Sequence, residues 1–176
     1  MKRAVKYVGE DRDLVELLKQ DSKSRGWQWT EFEAYEELLS YLRSRKQSQS
    51  ALQLSSGHEF RRWLRDRYAP IVLDLDFDQS GATEIVRNIK RIDAGASLIV
   101  VSRLTSLTAY SIAKMDGAEA FHTKPITNLD YLTESIECAF DKIDCWERTL
   151  LQLQEHREST DTTTTRSLPT RLDARP

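Results

Sequence analysis

The sequence predicts an α/β fold, a doubly wound parallel sheet, on three observations. The runs "APIVLDL" (69–75) and "ASLIVVS" (96–102) are almost continuously apolar, the pattern of strands buried on both faces. Strand-like segments alternate with helix-periodic ones, which implies right-handed crossovers covering both sides of the sheet. Polar residues gather where the apolar runs end, and such sheets place their functional crevice at the carboxyl ends of the strands. At 176 residues the chain accommodates one domain with a sizeable core plus appendages.

The elements follow in order. "RAVKYV" (3–8) reads as the first strand, rich in β-branched and aromatic residues and ended by Gly9. Leu14, Leu17 and Leu18 in "DLVELLKQ" have helical spacing. "WQWTEF" (27–32) alternates as a second strand, and "EAYEELLSYLRSRK" returns to helical periodicity through Leu38, Leu39 and Leu42. The Ser/Gln-rich stretch 47–57 reads as a loop, and "HEFRRWLRDRY" (58–68) as an added amphipathic helix; together they make an insertion over 47–68, ahead of the third strand at 69–75. "GATEIVRNIKRI" (81–92) carries Ile85, Val86, Ile89 and Ile92 on a helix, and 96–102 is the fourth strand. "LTAYSIAKMDG" gives a helix closed near Gly117, a C-cap glycine, and "AEAFHTKP" (118–125) a last strand stopped by Pro125. A long helix is predicted from about Leu129 towards His156. Five strands with these crossovers give the flavodoxin-like sheet, in the order 2-1-3-4-5.

The strand ends supply a particular chemistry. Glu10 and Asp11 follow the first strand, Asp74 and Asp76 the third, Ser102 the fourth, and Lys124 lies on the fifth. Carboxylates around a hard divalent cation, beside a hydroxyl and a lysine, suit the handling of a phosphoryl group. An aspartate can act as the nucleophile that becomes an aspartyl phosphate. Asp78, in "DQSG" before a helix, reads as a turn or cap residue rather than a ligand. His122 reads as an exposed histidine, and Trp27, Trp29 and Trp63 as packing residues.

Taken together, "IVLDLDFDQSG", "LIVVSR" and "AFHTKPI" resemble the phosphorylation, hydroxyl and lysine–proline motifs of two-component response-regulator receiver domains of the CheY-like kind. The resemblance spans roughly residues 3–143 and keeps the order of all five strand ends. It implies that Asp74 is the phospho-acceptor and that Asp76 contributes a backbone carbonyl to Mg²⁺. It further implies that Ser102 hydrogen-bonds the phosphoryl group and that Lys124, followed by Pro125, pairs with it. Phe121 matches the aromatic switch that turns inward when Ser102 moves. The family carries two consecutive acids after its first strand. An ungapped register puts Gly9 and Glu10 there, making Glu10 the metal-side carboxylate; a register shifted by one makes Glu10 and Asp11 the pair. The ungapped register is preferred. The loop after Asp74 lacks the family's Met-Pro and reaches Gly81 one residue sooner.

The same resemblance implies partners and a place of action: a histidine kinase or histidine phosphotransfer protein as donor, a downstream protein as receiver of the signal, and the cytoplasm. No enzymatic role is expected beyond the domain's own phosphorylation and dephosphorylation. A phosphorylation-independent pseudo-receiver, acting as an interaction adapter, is the alternative that Gly9 motivates. The net charge of −2 and the lack of a long basic run argue against nucleic acid as partner. No run of about 18 apolar residues is present for a membrane span. Cys138 and Cys145, seven apart in a helical segment, read as reduced thiols on one side of it.

The domain division is then 1–143 for the receiver, 144–157 for a helical extension and 158–176 for a disordered tail with no room for a folded output module. Leu132, Ile136, Ala139, Ile143, Trp146, Leu150 and Leu153 step alternately by four and three, an a/d heptad pattern. Its second half, from Trp146, has no obvious cover within the domain and is expected to pair with a second copy or a partner helix as a short coiled coil; the alternative is that the extension folds back onto the domain.

Overall fold

The computed structural model describes residues 3–48, 57–75 and 82–164. The order is β1 (Ala4–Val8), α1 (Arg12–Ser24), β2 (Gln28–Phe32), α2 (Tyr35–Ser48), α3 (Gly57–Arg67), β3 (Ile71–Asp74), α4 (Ala82–Ile92), β4 (Leu98–Ser102), α5 (Leu107–Met115), β5 (Ala120–Thr123) and α6 (Leu129–Thr164). All pairings are parallel and the sheet order is β2-β1-β3-β4-β5, as the sequence predicts.

Strand alternation divides the core in two. Val8, Ile71, Leu73, Leu98 and Val100 face α2, α4 and α5, where they meet Leu38, Leu42, Val86, Ile89 and Ala113. Their neighbours Val5, Tyr7, Val72, Ile99 and Val101 point to the other side, onto Leu14 and Leu18 of α1, Leu64 of α3, and Leu132, Ile136, Phe140 and Ile143 of α6. Each fully buried aliphatic side chain of this kind stabilises the fold by about 1.5–3 kcal/mol. The helix ends are fixed locally. Asp11 caps α1, its side chain accepting from the Leu14 amide, and Ser106 caps α5 through the Ala109 amide. Gly117, at φ +107°, closes α5, because a left-handed residue lets the Ala118 amide reach back to the Ala113 carbonyl at 2.9 Å.

The inserted helix α3 lies against α6. Arg65 reaches Asp144 and Glu147, each at 2.9 Å, and Arg61 reaches Glu147 at 3.2 Å. Just past α3, the Tyr68 ring meets Trp146 edge-on at 5.2 Å. Trp146 and Glu147 therefore have cover within the domain, which corrects the expectation of a bare second half of α6 and agrees, for that part, with the fold-back alternative. The reason is the insertion itself, whose packing partner the heptad pattern alone does not identify. Leu150 and Leu153 remain 40% and 55% exposed. A second correction concerns the tail: α6 continues to Thr164, past the 157/158 boundary where the sequence predicts its end. Elongating a formed helix adds a hydrogen bond for each residue fixed, so it continues into Ser/Thr-rich sequence that would not nucleate one. Residues 165–176 lie outside the described residues, as do 49–56 of the predicted loop.

Candidate functional site

β3 is the central strand, and Asp74 is its last residue, paired across to Val101 of β4 and only 2% exposed. A buried carboxylate needs a compensating charge or donors. Lys124 provides both. It stands immediately after β5, where its amide donates to the Ser102 carbonyl at 2.8 Å, and its Nζ reaches Asp74 Oδ2 at 2.8 Å. The same Nζ lies 2.9 Å from Asp11 Oδ2, so one ammonium bridges two carboxylates. The Asp11 carboxyl is held below the usual range, first by the Lys124 hydrogen bond and then by its cap bond from the Leu14 amide. The Lys124–Pro125 peptide is cis.

The two readings of the acidic pair thus separate in space. Asp11 is the carboxylate brought to Asp74 through Lys124, whereas Glu10 is exposed in the turn after β1. The cause is Gly9. β1 and β3 run in register, Tyr7 beside Val72 and Val8 beside Leu73, so the next pair along is Gly9 beside Asp74. A Cβ at residue 9 would fall 2.3 Å from Asp74 Cβ and 2.7 Å from the Tyr7 hydroxyl. No side chain fits there.

Tyr7 is the functional-site residue that sequence reasoning missed. Its ring is fully buried and stacks on Trp29 at 5.7 Å, and its hydroxyl donates to Asp74 Oδ2 at 3.1 Å. Burial and the Asp74 charge push the phenol well above its usual pKa, so it stays a donor. The available signal was a tyrosine in the interior of a β-branched strand, since a buried phenol needs a partner.

Ser102, the last residue of β4, is 1% exposed, and its hydroxyl oxygen accepts from the Leu104 amide at 3.1 Å. Beneath the loop that follows, Ser102 and Phe121 share the wall of a cavity of about 210 Å³, closed by Leu75, Val86 and Ala113. Phe121 is partly buried and meets Tyr110 edge-on at 6.0 Å. His122, expected to be exposed, is instead half-buried, shares a 2.9 Å hydrogen bond with the Ser135 hydroxyl, and has its pKa lowered by burial. Asp76 and Asp78 lie outside the described residues.

Among the described residues no group of three or more His, Cys, Asp or Glu side chains comes together as a metal cluster. Two carboxylates, Asp11 and Asp74, do converge on one point. That donor set fits a hard cation such as Mg²⁺, which keeps several waters and takes only one or two protein carboxylates beside a phosphate.

No family model matches the chain, and neither does any curated protein. Similarity appears in solved structures. A CheY-like response regulator receiver domain protein from Methanospirillum hungatei JF-1 superposes with a TM-score of 0.59 at 17% identity, over 82% of this chain and 98% of the other. A response regulator from Thermotoga maritima gives 0.59 at 17%, over 80% and 99%. The CheX-CheY-BeF3-Mg+2 complex from Borrelia burgdorferi gives 0.56 at 19%, over 78% and 89%. At such identities what is shared is the path of the backbone, and by that measure this chain has the fold of CheY-like response-regulator receiver domains.

Proposed function

We propose that this protein is a signalling receiver that accepts a phosphoryl group on Asp74 from the phosphohistidine of a histidine kinase or phosphotransfer protein, with Mg²⁺, and signals by protein–protein interaction in the cytoplasm. The observation that carries this reading is the buried Asp74 at the end of the central strand, 2.8 Å from the Lys124 ammonium and beside Asp11. A carboxylate oxygen of Asp74 forms the new O–P bond as the bond from phosphorus to the donor nitrogen breaks, and the nitrogen keeps the electron pair. Forming the acyl phosphate removes the carboxylate charge, so Lys124 turns from Asp74 to the phosphoryl oxygens it can still neutralise. Asp11 and Asp74 would hold Mg²⁺, which when bound supplies further neutralisation of the phosphoryl charge.

Ser102 carries the change outward. Its hydroxyl leaves the Leu104 amide to donate to the phosphoryl group, and the cavity beside it gives the Phe121 ring room to turn in. The donor protein has an approach along a groove of about 450 Å³ between α1 and the segment after β5, lined by Asp11, Leu14, Leu17, Arg103, Lys124 and Ile126. Exposed Leu107, Tyr110 and Tyr131 flank a separate groove against Phe121 and offer a surface for the downstream partner.

Incubation with acetyl phosphate and Mg²⁺, followed by intact mass, tests the reading. It predicts a phosphoryl adduct on the wild type and none on Asp74→Asn. A specific observation also favours a second reading, a phosphorylation-independent adapter: Gly9 supplies no carboxylate, and Asp74 is already held by Tyr7 and Lys124. That reading predicts no adduct on either protein, with partner binding unaffected by Asp74→Asn.

A further inference from the structure

Besides the Lys124 ammonium, Asp74 carries an aromatic hydroxyl, that of Tyr7. Tyr7 reaches Asp74 from β1, and it does so because residue 9 is glycine: the hydroxyl lies 2.7 Å from where a Cβ at that position would be. The two residues are therefore linked, with a neutral donor standing where the ungapped register expects a carboxylate. Both Tyr7 and Lys124 donate to the same oxygen, Oδ2. The phenol cannot easily move away, since its ring is fully buried between Trp29 and the α1 and α6 side of the core.

We propose that Tyr7 is a positioning residue that acts as a brake, holding Asp74 in its unphosphorylated form by a hydrogen bond that is strong to the carboxylate and weak to the acyl phosphate. The inference rests on Asp74 being the phospho-acceptor. As the O–P bond forms and the donor's bond to phosphorus breaks, with the electron pair leaving on the donor, negative charge passes from the carboxylate to the phosphoryl group. Hydrogen bonds to a charged acceptor are worth roughly twice those to a neutral one. Tyr7 therefore stabilises the reactant more than the transition state or the product. Lys124 differs, because a mobile ammonium follows the charge onto the phosphoryl oxygens, whereas the phenol is fixed on Oδ2.

The test is Tyr7→Phe, which keeps the ring and its stacking on Trp29. With acetyl phosphate and Mg²⁺, intact-mass time courses should show this variant labelled about fivefold faster than the wild type. A rate equal to or below wild type overturns the proposal while leaving the acceptor reading intact. No adduct on either protein refutes the acceptor reading and the brake with it. A wild type that takes no label while the variant does contradicts the acceptor reading, on which the brake rests. A readout free of phosphorylation checks the bond itself. The melting-temperature changes of Tyr7→Phe, Asp74→Ala and the double variant should be non-additive if the two side chains are coupled. Additive changes overturn the proposal.

Discussion

Gly9 shows how one missing side chain sets a site. Its approach to Asp74 is dictated by the β1–β3 register, and a methyl group there would overlap Asp74 Cβ at 2.3 Å. Gly9→Ala is expected to destabilise the fold by about 1–3 kcal/mol, the usual cost of overpacking, read as a lower urea midpoint. An unchanged midpoint would show that the strands separate freely there. Lys6, the neighbour of Tyr7 on the opposite face of β1, is a second residue-scale feature. It is 2% exposed and donates to the Asp66 carbonyl at the end of α3, with Tyr41 and Arg45 of α2, Arg67 of α3 and Asp93 around it. Burial, reinforced by Arg45, lowers its pKa from 10.5 to about 7. The folded state then binds fewer protons than the unfolded one between those values, so Lys6 makes stability rise with pH across that window, by up to about 1.4 kcal/mol per unit. Thermal unfolding between about pH 7 and pH 9 should show that rise in the wild type and a flatter profile in Lys6→Met; identical slopes would contradict it. Neither Lys6 nor Tyr7 is legible as special in "RAVKYV". A strand pattern reports that a residue is interior, but not which helix end or carboxylate it meets there.

At the scale of elements the sequence was far more readable. The strands and the helices between them follow from apolar runs and periodicity, most plainly at β3 and β4, where burial on both faces leaves no choice of pattern. Asp74, Ser102 and Lys124 stand at strand ends for the same reason, and parallel topology brings those ends to one edge. What stayed hidden was packing between elements distant in sequence. The heptad pattern of α6 runs unbroken from Leu132 to Leu153, yet its four buried members up to Ile143 lie under the sheet and Trp146 lies against Tyr68. Trp146→Ala should therefore cost the domain about 2 kcal/mol, less than a fully buried tryptophan would, seen as a lower denaturation midpoint. A midpoint equal to wild type would mean that α3 and α6 do not support one another. The choice between Glu10 and Asp11 was illegible for a similar reason. It depends on where α1 begins, and the cap at Asp11 that sets this is a local bond the strand pattern does not report.

For the whole molecule, two consequences follow. Self-pairing through the far part of α6 now rests on Leu150 and Leu153. Burying the exposed parts of these leucines in two copies contributes about 3–6 kcal/mol, against an association cost of about 4–15 kcal/mol. Pairing through these two leucines alone would accordingly be weak. Sedimentation should show a mass that rises only at high concentration and a strictly monomeric Leu150→Glu; a concentration-independent monomer in the wild type would remove the pairing. The larger claim is that the edge of the sheet is a phosphoryl-accepting centre built on Asp74. Peptide mapping after reaction with acetyl phosphate and Mg²⁺ tests it most directly. The account predicts one phosphoryl group, on the peptide that carries Asp74, and its loss in Asp74→Asn; an unmodified chain, or the label on Asp11 or another carboxylate, would contradict it.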